Sequence, residues 1–208
     1  PTLTPVPSTV TVALDGTGNF TTLDEAVKKV KPGATIILSS GTHTLTEKML
    51  IDKELTLRGS GMGKTILSSD IAPVLTIQLL NGNVTLSGIS FQYNGSAAGS
   101  VVYISTRDRV EITDCEFSGG INDAELNASG VGLSLIANIG TIRTSRFVNN
   151  QLDGLELFGV STVNIEDCTF SNNGQSGLNT GAGFAGTISG SEFSNNTGSG
   201  IVVIDPST

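Results

Sequence analysis

The sequence predicts an all-β fold, a right-handed parallel β-helix of about seven coils with an N-terminal amphipathic helix as its cap. Three observations predict it. A phenylalanine recurs at Phe91, Phe117, Phe147, Phe170 and Phe193, spaced 26, 30, 23 and 23 residues apart. Around each one, apolar or small residues alternate with polar residues. Five positions before it stand Leu86, Ile112, Ile142, Ile165 and Ile188, and two before it Ile89, Cys115, Ser145, Cys168 and Ser191, whereas the position just before it holds Ser90, Glu116, Arg146, Thr169 and Glu192. This is strand alternation, in pieces too short for a helical period. Eight residues after Phe147, Phe170 and Phe193 come Leu155, Leu178 and Ile201, each preceded by glycine. Each unit therefore holds three short strands and three turns. A unit of this length cannot bury its apolar face alone and must stack on its neighbours, each coil rising by roughly 4.8 Å.

In chain order, residues 1–9 are rich in proline and threonine and read as an extended linker joining this module to a longer chain. Residues 10–34 hold a strand from Val10 to Leu14, the turn Asp15 to Phe20, and a helix. The helix opens with the capping box Thr22-Leu-Asp-Glu25, carries Leu23, Ala26, Val27 and Val30 at helical spacing, and ends at Pro32-Gly33. Such a helix would cover the open strand edges of the first coil. Residues 35–204 form the β-helix and 205–208 a tail. No amphipathic segment follows Ile204, so end-to-end self-association through the last coil is an expectation, with Pro206 blunting that edge only in part.

The run DGTGNFTTLDEAVKKVKPGATIILSSGTHTL, followed by DKELTLRGSGMGKTIL, resembles the opening of pectin-lyase-like β-helix proteins, in particular pectin methylesterases and bacterial surface or periplasmic β-helix proteins. The later VxIxDCxFSNN units are similar to generic parallel β-helix repeats. The resemblance covers nearly all of the chain after the linker and implies the fold. It leaves the chemistry open, because such folds carry lyases, esterases, hydrolases, binding modules and structural proteins. The GQAVAL-, QDT- and DFIFG-like strings of pectin methylesterases have no counterpart here, nor has the Arg-x-Pro-x-x-Arg of pectate lyases. Of the polygalacturonase-like strings only Asn-Thr-Gly occurs, at Asn179 and Asn196.

Composition narrows the partners. Eleven Lys and Arg against 19 Asp and Glu give a net charge of −8, which argues against nucleic acid and against unassisted binding of acidic polysaccharide. No apolar run is long enough for direct membrane insertion. Cys115 and Cys168 share a column two coils apart, roughly 9.6 Å on the regular rise, beyond the about 7 Å a disulfide spans. Both are expected to be free, inward thiols, silent about redox compartment. RGSGMGKT, Arg58 to Thr65, imitates a P-loop but lacks its first glycine and leads into a strand rather than a helix. The single histidine, His43, reads as an ordinary turn-flanking residue. The pairs Asn149-Asn150, Asn172-Asn173 and Asn195-Asn196 read as a stacked amide ladder. Tyr93 and Tyr103 are the aromatics expected to be available to a ligand.

Insertions in a solenoid gather on one face, often the binding face. Six extra residues bulge around Ile121 to Ala128, and a smaller excursion precedes Val101. The candidate ligand-binding residues are therefore Asp123 and Glu125 on the insertion, with Glu116 and Arg146 in a polar column beside it. Glu116 with Arg146, and Arg143 with Glu166, also read as a solvated salt-bridge ladder. No catalytic or metal-ligating set is assigned and no cofactor is expected; calcium would suit the enzymatic alternative but has no motif. The reading is a non-catalytic extracytoplasmic module, extracellular or at the cell surface or periplasmic, for glycan, ligand or protein recognition or as a rigid spacer. The alternative is a polysaccharide lyase, esterase or hydrolase acting on uronic-acid polymers.

Overall fold

The computed structural model describes residues 8–204 apart from 124, 126, 127, 160 and 161. The expected linker before residue 8 and the tail with Pro206 lie outside the described residues. The chain winds as a right-handed parallel β-solenoid of about eight turns. Its first sheet stacks Thr9–Val12, Ala34–Leu38, Leu55–Arg58, Val84–Ser87, Arg109–Thr113, Ile139–Arg143, Thr162–Glu166 and Ile188–Ser189. The second stacks Gly41–Leu45, Thr65–Ser69, Ser90–Tyr93, Glu116–Ser118, Arg146–Val148, Thr169–Ser171 and Glu192–Ser194. The third stacks Leu50–Ile51, Leu75–Gln78, Val102–Ser105, Leu133–Ile136, Leu155–Phe158, Leu178–Thr180 and Ile201–Val203. The count exceeds seven because Thr9–Val12 is itself a rung of the first sheet, paired with Ala34–Leu38.

Parallel pairing sets like residues over like. In the first sheet Val10, Ile36, Leu57, Leu86, Ile112, Ile142, Ile165 and Ile188 form one inward column. In the second, the five phenylalanines stack with ring centroids 5.2, 5.0, 4.8 and 4.7 Å apart. This column continues back through Leu67 to His43. His43 therefore does not flank a turn: the register turns it inward, 3% exposed, with Nε2 3.0 Å from the Ser39 carbonyl oxygen. Glycine precedes the first leucine of the later third-sheet strands for a steric reason. A Cβ at Gly132, Gly154 or Gly177 would lie 2.6, 2.7 or 2.8 Å from the carbonyl oxygen of the glycine one coil on.

The helix spans Leu23–Lys29 and buries Leu23, Ala26 and Val27 in the core cluster that includes Val10, Val12 and Ile36. Thr22 caps it, Oγ1 accepting from the Glu25 N–H, and Lys53 Nζ donates to the Val27 carbonyl at its other end.

The asparagine pairs divide their labour. Asn149, Asn172 and Asn195 adopt φ of 58, 57 and 55°, the left-handed geometry that turns the chain out of the second sheet. Asn150, Asn173 and Asn196 point inward as the ladder. Asn150 Nδ2 donates to Asn173 Oδ1 at 3.1 Å and Asn173 Nδ2 to Asn196 Oδ1 at 2.9 Å, while each amide also donates to a phenylalanine carbonyl, of Phe117, Phe147 or Phe170.

Cys115 and Cys168 are free and buried, and burial pushes their thiols up to about 12 and about 11. Native protein is therefore expected to resist a thiol reagent at pH 8, with both groups reacting once denaturant unfolds it; labelling of the native chain at the rate of a free thiol would contradict this placement. Asn173→Ala removes the acceptor shared by the buried Asn150 main-chain N–H and Nδ2 and a donor to the Phe147 carbonyl, and is expected to cost about 2–4 kcal/mol in urea unfolding. Asn172→Gly keeps the left-handed turn and should change stability by less than about 0.5 kcal/mol.

Candidate functional site

The insertion folds as a hairpin, Asn122–Asp123 pairing antiparallel with Ala128–Ser129. It stands at the corner between the second and third sheets and joins the smaller excursion on the preceding coil. Gly99 and Ile121 exchange both backbone hydrogen bonds, at 2.7 and 2.9 Å. Together with the turn holding Ala72 and Pro73, these excursions wall a groove of about 280 Å³ whose lining includes Gly99, Ser100, Tyr103, Ser129 and Ser134. The floor belongs to the outer face of the third sheet.

Two outward columns run along that face. One reads Leu50, Thr76, Tyr103, Ser134, Glu156, Asn179 and Val202; the other reads Gln78, Ser105, Ile136 and Phe158. Ile136 and Phe158 are 37% and 41% exposed, an apolar step beside a polar strip. Glu156 Oε2 accepts from Ser134 Oγ at 3.5 Å. Behind it, in the turn before its strand, Asp153 is 1% exposed; its Oδ1 accepts from the Ser176 N–H at 2.8 Å and its Oδ2 from Asn179 Nδ2 at 3.0 Å. Desolvation, and then the nearby Asp153 charge, raise the Glu156 carboxyl above the ordinary carboxylate range, against the lowering effect of the Ser134 hydrogen bond. A larger hollow of about 370 Å³ lies between the helix and the turn at Thr44–Met49. Its Asp24 and Lys28 pair with each other at 2.6 Å.

The sequence-derived candidates fall into two separate pairs. Asp123 and Glu125 sit on the hairpin, where Asp123 Oδ1 accepts from the Glu125 N–H at 3.0 Å. Glu116 and Arg146 meet at 3.2 Å on adjacent rungs of the second sheet, where Glu116 opens its strand while the hairpin follows that strand's other end. Arg143 and Glu166 pair at 2.8 Å on the first sheet. The column that continues the groove is Tyr103, Ser134, Glu156 and Asn179. Tyr93 is not available to a ligand: it is 4% exposed and its hydroxyl donates to the Ala97 carbonyl at 2.8 Å. Phe158 takes that place. Its signal was present in the sequence, since Leu155-Glu-Leu-Phe158 puts an aromatic at an outward strand position.

A family model described as the right-handed β-helix region matches residues 76–208, well over half of the sequence. The chain belongs to the right-handed β-helix family. Among solved structures this β-helix protein is similar to carrot pectin methylesterase, at 15% identity and a TM-score of 0.63 over 92% of this chain and 72% of that one. It is also similar to the pectin methylesterase of Aspergillus niger, at 14% and 0.61 over 99% and 83%, and to that of Erwinia chrysanthemi, at 12% and 0.55 over 89% and 65%. At these identities the likeness is one of fold. No curated protein matches the sequence. Among the described residues of this β-helix protein no helix is long and apolar enough to cross a membrane, and no three His, Cys, Asp or Glu side chains gather as a metal site.

Because Glu156 holds its proton more tightly folded than unfolded, its stabilising contribution is full below the unfolded value and lost as pH rises through the folded one. Glu156→Gln, which mimics the protonated form, should match the wild-type Tm at about pH 4 and exceed it at about pH 7. A Tm difference that is the same at both values would contradict the raised carboxyl.

Proposed function

We propose that this β-helix protein is a non-catalytic glycan-recognition module, acting outside the cytoplasm, and that its ligand lies along the outer face of the third sheet. The observation that carries the reading is the pairing of an apolar, partly aromatic step with a polar strip on one flat face beside a walled groove. Tyr103, Ile136 and Phe158 offer the apolar faces of sugar rings a surface to stack on, and Ser134, Glu156 and Asn179 line the adjacent polar column. A strip whose side chains repeat at roughly 4.8 Å along the solenoid axis suits an extended polymer better than a compact ligand.

The enzymatic alternative has one observation in its favour, the raised carboxyl of Glu156, a property of general acids. Asp153 does not supply the second carboxylate that glycoside hydrolysis uses, because it is buried with both oxygens engaged. It positions Asn179 and biases Glu156 instead, so recognition is the better-supported reading.

The test is a glycan-array screen followed by calorimetry of any oligosaccharide captured. Phe158→Ala and Tyr103→Ala should each weaken binding by about tenfold, in line with the roughly 1–1.5 kcal/mol of an aromatic contact, and no reducing ends should appear. Capture unaffected by both substitutions would remove the third-sheet face from the reading, and release of reducing ends would replace recognition with catalysis.

A further inference from the structure

We propose that the glycan taken by the third-sheet face carries free amines, that is, an oligosaccharide of amino sugars that is cationic near neutral pH. The inference rests on the glycan reading above and assigns the class of sugar.

The argument is one of charge placement. Along the two outward columns of the third sheet, from Leu50 to Val202 and from Gln78 to Phe158, there is no lysine or arginine, and Glu156 is the one carboxylate. Asp153 sits behind it. The turns that wall the groove add Asp70 ahead of Ala72 and Pro73 and Glu125 on the hairpin, and the sequence puts no lysine or arginine in either turn. The cation nearest along the Tyr103 strand, Arg107, follows that strand's far end, on the side away from the excursions. Four acids among the described residues do have an ion-pair partner: Glu166 with Arg143, Glu116 with Arg146, Glu111 with Arg109 and Asp24 with Lys28. Glu156 has no such partner among the described residues; its hydrogen bond comes from the Ser134 hydroxyl.

An ammonium group arriving here meets a carboxylate already half withdrawn from water and neutralised by no resident cation. A uronate would bring its charge against Glu156 and Asp153 with nothing to offset it. Tyr103, two rungs before Glu156 in the same column, and Phe158, two residues along the same strand, add aromatic rings, whose faces attract cations. The net charge of −8 adds attraction of the same sign at longer range. The groups facing Glu156 are Asp153 in its own turn, Ser134 on the preceding rung and Asn179 on the following one, and of these only Asp153 titrates. Acidification that protonates Glu156 therefore weakens an amine ligand and favours an anionic one.

Calorimetry of the full chain separates these cases with a glucosamine tetramer, its fully N-acetylated counterpart and a galacturonate tetramer, at about pH 6.5 and at about pH 4. The glucosamine tetramer should bind at least about tenfold more tightly than the acetylated one at the higher pH. That advantage should vanish in Glu156→Gln, whose fold is checked by circular dichroism, and shrink at the lower pH. Equal or tighter binding of the acetylated or galacturonate tetramer overturns the assignment and leaves the glycan reading standing. An amine preference that survives both Glu156→Gln and Phe158→Ala also overturns it, since the amine would then be held by diffuse charge. Failure of all three tetramers to bind would sink the glycan reading itself.

Discussion

Register is the constraint from which the rest of this molecule follows. Every strand of the three stacked sheets pairs in parallel with its equivalent one coil away, so a residue chosen once is repeated across the stack, and a side chain that suits one coil must also suit its own copy directly above. Phenylalanine meets this demand by offset stacking, with interplanar angles of 3 to 11°. Asparagine meets it because one amide both donates and accepts, so each side chain closes on the next while its spare N–H holds a main-chain carbonyl of the neighbouring turn. Glycine meets it where carbonyls approach too closely for any Cβ. These three solutions occupy the interior and the corners, leaving the outward columns free to vary.

That freedom distinguishes the three faces. The first and second sheets each carry one outward ion pair across successive rungs, Arg143 with Glu166 and Arg146 with Glu116, contributing at most about 1 kcal/mol apiece. On the third sheet the outward positions hold aromatic, aliphatic and acidic groups with no balancing cation, and it is this face that the two excursions border. The apolar and acidic outward positions of the third sheet thus lie beside the two excursions that wall the groove.

The interior was legible because it repeats. Five copies of a phenylalanine position, five of an aliphatic one and three of an asparagine pair each vote for the same assignment, and the capping box marks the helix independently. Features that occur once had no such support. His43 stands at the head of the phenylalanine column, but without an aromatic at Leu67 the column could not be followed back to it. Tyr93 and Phe158 exchanged places because the chain bends at every turn and parity must be counted afresh in each strand. Glu156 looks like any surface acid until Asp153, three residues earlier, is seen to be buried with its oxygens committed to the next coil.

The bridge between Gly99 and Ile121 makes the two excursions a single mechanical part. Each supplies the other with backbone partners that its own coil does not provide, so neither has a complete set of hydrogen bonds in isolation. Anyone transplanting this corner onto another solenoid would have to move both loops together and keep their host coils adjacent. By the same logic, lengthening one loop would demand a matching change in its neighbour, so that variation in the groove is inherited in pairs.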